Sequence, residues 1–348
     1  MRRAVVAALV VVPLSLTMAS PAGACGGLVG ENGSIELLRT TTLAAYSDGV
    51  ERYVTGFEFT GEGEEVGSII PLPDVPTEVI RGGDWTLQRL SQEVAPPPPD
   101  ARAGADAASA ESAGPEIILE TQIDALDITV LKGGGDEVGQ WATENGFLLT
   151  PDAPEVLDFY AQRSPVFMAA RFDADRAEEL GQGAGDSTPI MATIPTDDPW
   201  VPLRILGLGL DDDQVVEADV FMLTDEEPDL LAGGAGVDVV RSEAASDLLL
   251  DDLRSDVGME WVPESMWLSY LQVNTPAGDL DFDLAASTEP DTTPSLVDAG
   301  VDAPQALRLE LDGPGPALWP VVLGAGAGLA ALVLGIRRSR LAGRRMPI

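Results

Sequence analysis

The sequence has 348 residues, with 58 acidic residues, 20 basic residues, one cysteine and no histidine, and its formal net charge is −38. Without histidine the chain has no Ser-His-Asp triad and no histidine-ligated metal, and one cysteine cannot form a thiolate zinc site or a CxxC redox pair. A surface this acidic repels nucleic acid. We therefore expect no nucleic-acid partner and no cofactor.

The first segment, residues 1–24, is typical of a signal peptide. Two arginines precede the apolar run AVVAALVVVPLSL, and Ala22-Gly23-Ala24 supplies the small residues that a signal peptidase accepts. The apolar run is too short to cross a bilayer as a helix. The sequence therefore predicts export of the residues that follow.

Cys25, the only cysteine, comes directly after this segment. One interpretation is lipidation, although Ala22 is a poor match to the branched residue that lipoprotein signals carry at that position. A bridge to another chain is a second interpretation, and an N-terminal nucleophile is a third. We prefer a fourth, in which Cys25 is an unmodified mature N-terminus under the first strand.

Residues 25–285 are predicted to form an acidic extracellular α+β domain. Its first part predicts a hairpin that turns at Ser47-Asp48-Gly49, because two β-rich runs flank that turn and the second run places Tyr53, Thr55, Phe57 and Phe59 on one face. A helix is predicted in GGDWTLQRLSQEV, with Asp84 as its cap. Residues 95–116 have almost no large apolar side chains and are predicted to be a disordered insertion.

The middle of the chain predicts further strands and helices. A strand, the turn Gly133-Gly134-Gly135 and a helix capped by Asp136 precede a second helix in TPDAPEVLDFYAQRS. The glycine run lacks the spacing of phosphate-binding loops, so we interpret it as a tight turn. Strands are predicted in PVFMAARFD, TPIMATIPT, VPLRILGLGL, VVEADVFMLTD and SMWLSYLQV, and a helix in EAASDLLLDDLRSD. This order favours an α+β fold with a largely antiparallel sheet and several helices mid-chain.

Two groups of residues are candidates for binding. Trp200 and Trp261 each lie near proline and can stack on a sugar or peptide, although buried loop plugs are the commoner role of such residues. Asp279, Asp281 and Asp283 imitate the start of a calcium loop, but the later positions of the EF-hand pattern are missing, so we interpret this segment as an edge strand with one acidic face. No catalytic or metal-ligating residue is assigned, and weak cation binding stays an alternative.

The C-terminus predicts a membrane anchor. Residues 286–316 have the composition of a stalk, residues 317–336 form an uncharged run long enough to cross the hydrocarbon as a helix, and residues 337–348 carry five arginines and no acid. We therefore predict a single-pass type I protein of the cell membrane, with an extracellular domain and a cytoplasmic tail.

Several long segments carry a resemblance, among them ACGGLV, IELLRTTTLAAYSDGVERYVTGFEF and LDITVLKGGGDEVGQWATENGFLLTPDAPEVLDFYAQRSPVFMAARF. Over residues 24–275 the chain resembles a bacterial domain-of-unknown-function family that is common in actinobacteria. The resemblance implies export, a mature start reading ACG, a C-terminal span in many members and one continuous domain. It implies no activity and no site residues.

Our hypothesis is a membrane-anchored cell-surface protein that acts as a non-catalytic binding or structural module. Its partners would be its own membrane, through residues 317–336, and an envelope protein or ligand whose identity the sequence leaves open. One alternative is a carboxylate-based hydrolase acting on polysaccharide, with two acids in a cleft lined by tryptophan. A calcium-stabilised surface protein is the other.

Overall fold

The computed structural model describes residues 22–23, 27–30, 39–57, 65–94, 116–182, 188–231, 236–288 and 292–301. All but the last of these residues belong to one compact unit, Met1–Gly300. Cys25, the predicted span 317–336 and the tail 337–348 lie outside the described residues, as does nearly all of the predicted insertion 95–116.

Sixteen strands and five α-helices make up this part of the chain. The strands are β1 (Ala22–Gly23), β2 (Gly27–Gly30), β3 (Arg39–Ser47), β4 (Val50–Phe57), β5 (Glu65–Leu72), β6 (Glu78–Arg81), β7 (Glu116–Ile123), β8 (Leu126–Lys132), β9 (Val166–Asp173), β10 (Thr188–Pro195), β11 (Trp200–Val201), β12 (Val215–Thr224), β13 (Asp229–Leu231), β14 (Val237–Ala244), β15 (Trp267–Pro276) and β16 (Leu284–Ser287). The helices are α1 (Thr86–Val94), α2 (Gly135–Glu144), α3 (Ala153–Arg163), α4 (Ala174–Leu180) and α5 (Asp247–Arg254).

The strands form three sheets. Sheet A has eight strands in the order β14-β15-β12-β3-β4-β10-β6, with β1 beside the start of β3. Sheet B has the order β2-β5-β9-β8-β7, and the small sheet C has the order β11-β16-β13. Strand pairs are antiparallel throughout these sheets, except that β3 runs parallel to both β12 and β1.

Side chains that alternate between the two faces of each strand let sheets A and B pack as a sandwich, with helices on both outer faces. On β3, Ala44 points into the core between sheets A and B, whereas Leu43 and Ala45 point to the opposite face. A strand turns successive side chains to opposite faces, so each sheet lines two cores. Helices α2 and α3 cover the outer face of sheet B, and α1 and α5 cover the outer face of sheet A. The layers are therefore helix, sheet, sheet, helix.

The structure confirms the predicted class, α+β with large antiparallel sheets and a few helices. The hairpin is confirmed as β3 and β4, whose turn holds Asp48 and Gly49 at positive φ. Asp84 does not cap α1, because its carboxylate pairs with Arg81. Asp256 instead accepts hydrogen bonds from the backbone N–H groups of Asp84 and Trp85 at 3.0 Å and from the Thr86 hydroxyl at 2.8 Å.

Two other local predictions were wrong. The segment VPLRILGLGL is not a strand, since only the short β11 and a 3₁₀ helix, Arg204–Gly207, form there. Helix α2 is capped at Gly134, whose N–H donates to the Glu137 carboxylate at 2.9 Å, and Asp136 lies within the first turn. The Glu137 carboxylate thus occupies the N-terminus of α2, where a phosphate-binding loop would hold its phosphate.

The C-terminal boundary of the fold lies beyond the predicted one. Strand β16 ends at Ser287, and the Asp283 N–H donates to the Ala299 carbonyl at 3.0 Å, which holds the 292–300 segment against the domain. The start of the predicted stalk therefore belongs to the described fold. Within the described part of the chain, no helix is both long and apolar enough to cross a membrane.

Candidate functional site

One cluster of buried polar residues lies where α3, sheet C and one end of sheet A meet. We call it the Asp283 cluster and define it as Glu51, Tyr160, Arg163, Trp200 and Asp283. Tyr160 and Arg163 are three residues apart on α3, so their side chains project from the same helix face. Glu51 belongs to β4, Trp200 to β11, and Asp283 immediately precedes β16.

Asp283 is the centre of this cluster and is fully buried. Its Oδ1 accepts hydrogen bonds from the Tyr160 hydroxyl at 2.8 Å and from the backbone N–H groups of Leu203 at 2.8 Å and Arg204 at 3.2 Å. Its Oδ2 accepts one from Arg163 Nη1 at 2.9 Å. Burial raises the pKa of Asp283, and these partners partly oppose the rise because they stabilise its charge.

Trp200 is enclosed by the same residues and is 2 % exposed. Its ring stacks on Tyr160 with centroids 5.8 Å apart, and the Arg163 guanidinium lies 4.0 Å from the ring centroid. The indole therefore helps to desolvate the ion pair between Arg163 and Asp283. Stacking of a ligand on Trp200 would require these side chains to move.

Glu51 is the least ordinary member of the cluster. Its side chain is fully buried, and neither carboxyl oxygen has a hydrogen-bond partner among the described residues. Desolvation raises the pKa of Glu51 to about 8; the nearby Trp200 backbone and the charge of Arg163 lower the pKa in part, and the charge of Asp198 raises it. The raised pKa favours the protonated, neutral form of Glu51 at pH 7.

Burial of both carboxyl groups limits the chemistry that this cluster can carry out. A carboxyl kept protonated near neutral pH can serve as a general acid, as glycosidases require. Glu51 and Asp283 are, however, both 0 % exposed, and the two oxygens of Asp283 already accept four hydrogen bonds. In the described structure both carboxyl groups are therefore closed to solvent, and Asp283 connects α3 to the segment that precedes β16.

A second buried cluster joins the two large sheets. Asp124, in the turn between β7 and β8, forms an ion pair with Arg81 of β6 and accepts a hydrogen bond from Thr188 of β10 at 3.2 Å. Arg176 Nε donates to the Asp124 carbonyl at 3.0 Å, and its Nη2 pairs with Asp127 at 2.9 Å. These charges are also neutralised internally.

The predicted binding residues do not come together. Trp200 lies in the core on the outer face of sheet B, whereas Trp261 packs against the core on the outer face of sheet A, where the Arg52 guanidinium lies 4.5 Å from its ring centroid. Cys25 lies outside the described residues. Ligand stacking on either tryptophan stays a prediction. Among described residues, no group of three or more Asp, Glu or Cys side chains is arranged to hold a metal ion.

Sequence reasoning missed most of the Asp283 cluster. Asp283 stands in DLDFDL, where its acidic neighbours Asp279 and Asp281 suggested an exposed edge, and both neighbours are not buried. Glu51 had one available signal, because it shares its strand face with the inward Tyr53 and Thr55. An acid at an inward position of a strand indicates a buried charge.

Residues 19–225 match DUF2330, described as an uncharacterised protein conserved in bacteria. The match covers more than half of the chain, so the chain belongs to the DUF2330 family. This confirms the predicted bacterial domain-of-unknown-function family; its actinobacterial character, the signal peptide and the anchor stay predictions.

Among solved structures the chain is similar to the baculovirus protein P35. The P35 crystal structure is 10% identical with a TM-score of 0.40, over 73% of this chain and 98% of that chain. A mutated P35 after caspase cleavage is 8% identical with a TM-score of 0.36, over 72% of this chain and 100% of that chain. The caspase-8/P35 complex is 9% identical with a TM-score of 0.32, over 71% of this chain and 92% of that chain. A comparison with curated proteins found no match.

Proposed function

We propose that this DUF2330 protein is a membrane-anchored, non-catalytic binding module of the bacterial cell surface. The observation that carries the proposal is the closure of both buried polar clusters. Apart from Glu51, whose carboxyl has no hydrogen-bond partner among the described residues, the acidic and basic side chains of these clusters are paired with one another and connect sheets and helices. We therefore expect this fold to bind other molecules through its surface.

The proposed location rests on the two ends of the sequence. The apolar run after Arg2 and Arg3 favours export, and the uncharged run 317–336 followed by an arginine-rich tail favours a type I anchor. The strongly acidic remainder suits a hydrated surface outside the cell and is unsuited to nucleic acid.

Protease treatment of intact bacteria tests the location. The full chain, tagged at its C-terminus, is expected to fractionate with the membrane, to lose its acidic domain to added protease and to keep the tag protected. Deleting residues 317–336 should release the domain into the medium. Recovery of unprocessed full-length chain in the cytosol would contradict the proposal.

A thermal-shift screen of the full chain against envelope proteins, cell-wall fragments and cations tests the binding role. Ligands that bind only the native state raise the melting temperature by mass action. At least one such shift is expected. A complete screen without a ligand would count against a binding module and favour a purely structural one.

A carboxylate hydrolase is the second candidate, and the raised pKa of Glu51 beside Trp200 is the observation that favours it. This candidate predicts polysaccharide hydrolysis that Glu51→Gln abolishes and Glu227→Gln, at an exposed position, preserves. Equal turnover in both variants, or no turnover in the wild type, would exclude Glu51 as the acid.

A further inference from the structure

Strand β14 is the outermost strand of sheet A. Its inner edge pairs with β15, and within the described ranges no strand lies along its other edge. The register shifts between Val239 and Arg241, which leaves Val240 without a partner on β15. The backbone groups along an edge strand are a template for a further strand, and proteins usually protect such edges with charge or a bulge.

Two apolar side chains of β14 are exposed. Val237 is buried, whereas Val239 is 47 % exposed and Val240 is 51 % exposed. Two exposed valines in succession on an edge strand provide apolar area for the side chains of an added strand, while the backbone provides hydrogen bonds. The bulge therefore interrupts the regular backbone pattern of this edge but does not cover the edge.

The charge around β14 is negative. Asp238 and Glu243 are exposed on the strand. Arg241 is its only basic residue, and Arg241 Nε already donates to Glu243 at 2.8 Å while Nη1 donates to the Glu93 carbonyl at 2.7 Å. The side-chain charge left over at the edge is acidic, in a chain whose net charge is −38. A second copy of the chain would bring like charges together, so a basic partner complements this edge better.

We propose that β14 is the docking edge for an extended, basic segment of a partner protein, which joins sheet A as an added strand. Apolar residues of that segment contact Val239 and Val240, and lysine or arginine side chains pair with Asp238 and Glu243. This inference rests on the proposed binding function and names the surface and the partner chemistry for it.

Peptide binding to the full chain in detergent tests the proposal. The probe is a fluorescent peptide of alternating valine and lysine, about nine residues long, which is within the range of strand lengths. We expect saturable binding by anisotropy that weakens as salt rises toward about 0.15 M, because screening reduces the charge pairing. A valine–glutamate peptide should not bind, and N-methylation of alternate amides should weaken binding at least tenfold.

Variants at exposed positions separate β14 from the rest of the acidic surface. Val239→Ser with Val240→Ser, and Asp238→Asn with Glu243→Gln, are each expected to weaken binding about tenfold, which corresponds to about 1.4 kcal/mol. The matched control is Val215→Ser with Val257→Ser, two exposed valines outside β14, and it should change binding less than twofold.

Three outcomes would overturn the proposal. Equal binding by the control and the β14 variants would show non-specific attraction to an acidic protein. Concentration-dependent self-association that the valine variants abolish would identify a second copy as the occupant. Binding that appears only after residues 302–316 are deleted would identify the chain's own segment. None of these outcomes bears on the proposed location at the cell surface or on the thermal-shift screen for other ligands.

Discussion

Burial of the Glu51 carboxyl makes the stability of the protein depend on pH. In the folded chain its pKa is raised to about 8, and in the unfolded chain it returns to its ordinary value of 4.5. Between these values the folded protein holds a proton that the unfolded chain has lost. The free energy of unfolding therefore falls as pH rises from 4.5 toward 8.

Glu51→Gln is expected to remove this dependence, because glutamine has nearly the same shape and is neutral at every pH. The wild type should lose up to about 1.4 kcal/mol per pH unit relative to the variant within that window. Urea unfolding of the full chain in detergent between about pH 5 and pH 8 measures the difference.

The control for this prediction is Glu227→Gln, since Glu227 is exposed. It should leave the pH dependence as it is in the wild type. If Glu51→Gln unfolds with the wild-type dependence, Glu51 is ionised in the folded protein and the assigned protonation state is wrong.

Tyr160 shows how much one hydroxyl contributes to the Asp283 cluster. It donates to Asp283 at 2.8 Å and accepts from the Ile205 N–H at 2.9 Å. Tyr160→Phe leaves both buried partners short of a hydrogen bond, so the free energy of unfolding should fall by about 1–3 kcal/mol. Tyr46→Phe is the control, since its hydroxyl makes a 3.2 Å bond in a half-buried position. Equal, small effects in denaturant titrations would show that the cluster adds little stability.

At the scale of the element, helix α2 offers a matched pair of glycines. A Cβ at Gly135 would lie 2.6 Å from the backbone nitrogen of Asp158 on α3, which cannot easily move, whereas a Cβ at Gly139 would make ordinary contacts at 3.5 Å and beyond. Gly139→Ala should raise the free energy of unfolding by about 0.5–1 kcal/mol, because alanine favours the helix. Gly135→Ala should lower it, since α2 and α3 must separate. Two variants with the same sign in thermal unfolding would contradict this packing.

Elements defined by neighbouring residues were predictable, and those defined by distant ones were not. The β3–β4 hairpin follows from local alternation and from Asp48 and Gly49 in the turn. The segment that enters α1 is held by Asp256, which accepts from the N–H groups of Asp84 and Trp85; Asp256 lies far along the chain, and no local pattern indicates it. For the same reason the local pattern around Asp283 predicts an exposed acidic strand, whereas Asp283 is buried by Tyr160 and Arg163, which come from another region of the sequence.

At the scale of the whole molecule, a net charge of −38 predicts a stability that rises with salt. Like charges repel more strongly in the compact state than in the unfolded chain, and the screening length falls from about 30 Å at 0.01 M to about 8 Å at 0.15 M. The melting temperature of the full chain should therefore increase over this range of sodium chloride. A constant or falling melting temperature would show that repulsion is not limiting.

Calcium chloride at matched ionic strength distinguishes screening from specific binding. If the acidic surface only repels itself, calcium and magnesium should raise the melting temperature by similar amounts. The calcium-stabilised alternative instead requires a larger rise with calcium, which EDTA reverses. The comparison of calcium with magnesium therefore distinguishes charge screening from specific calcium binding even though the residues that would bind calcium are not known.

The parallel pairing of β3 with β12 also sets an order of events during synthesis. Thr40 lies opposite Ala218, so the middle of sheet A joins an early strand to one that emerges much later. Until the ribosome or a translocation channel has delivered residues up to Thr224, the first hairpin has one flank without its native neighbour. Such long-range closure slows folding and prolongs exposure of strand edges. A newly made chain is consequently expected to expose the unpaired edge of β3 for longer than a chain held by local contacts, and chaperones that cover strand edges would lower its tendency to aggregate.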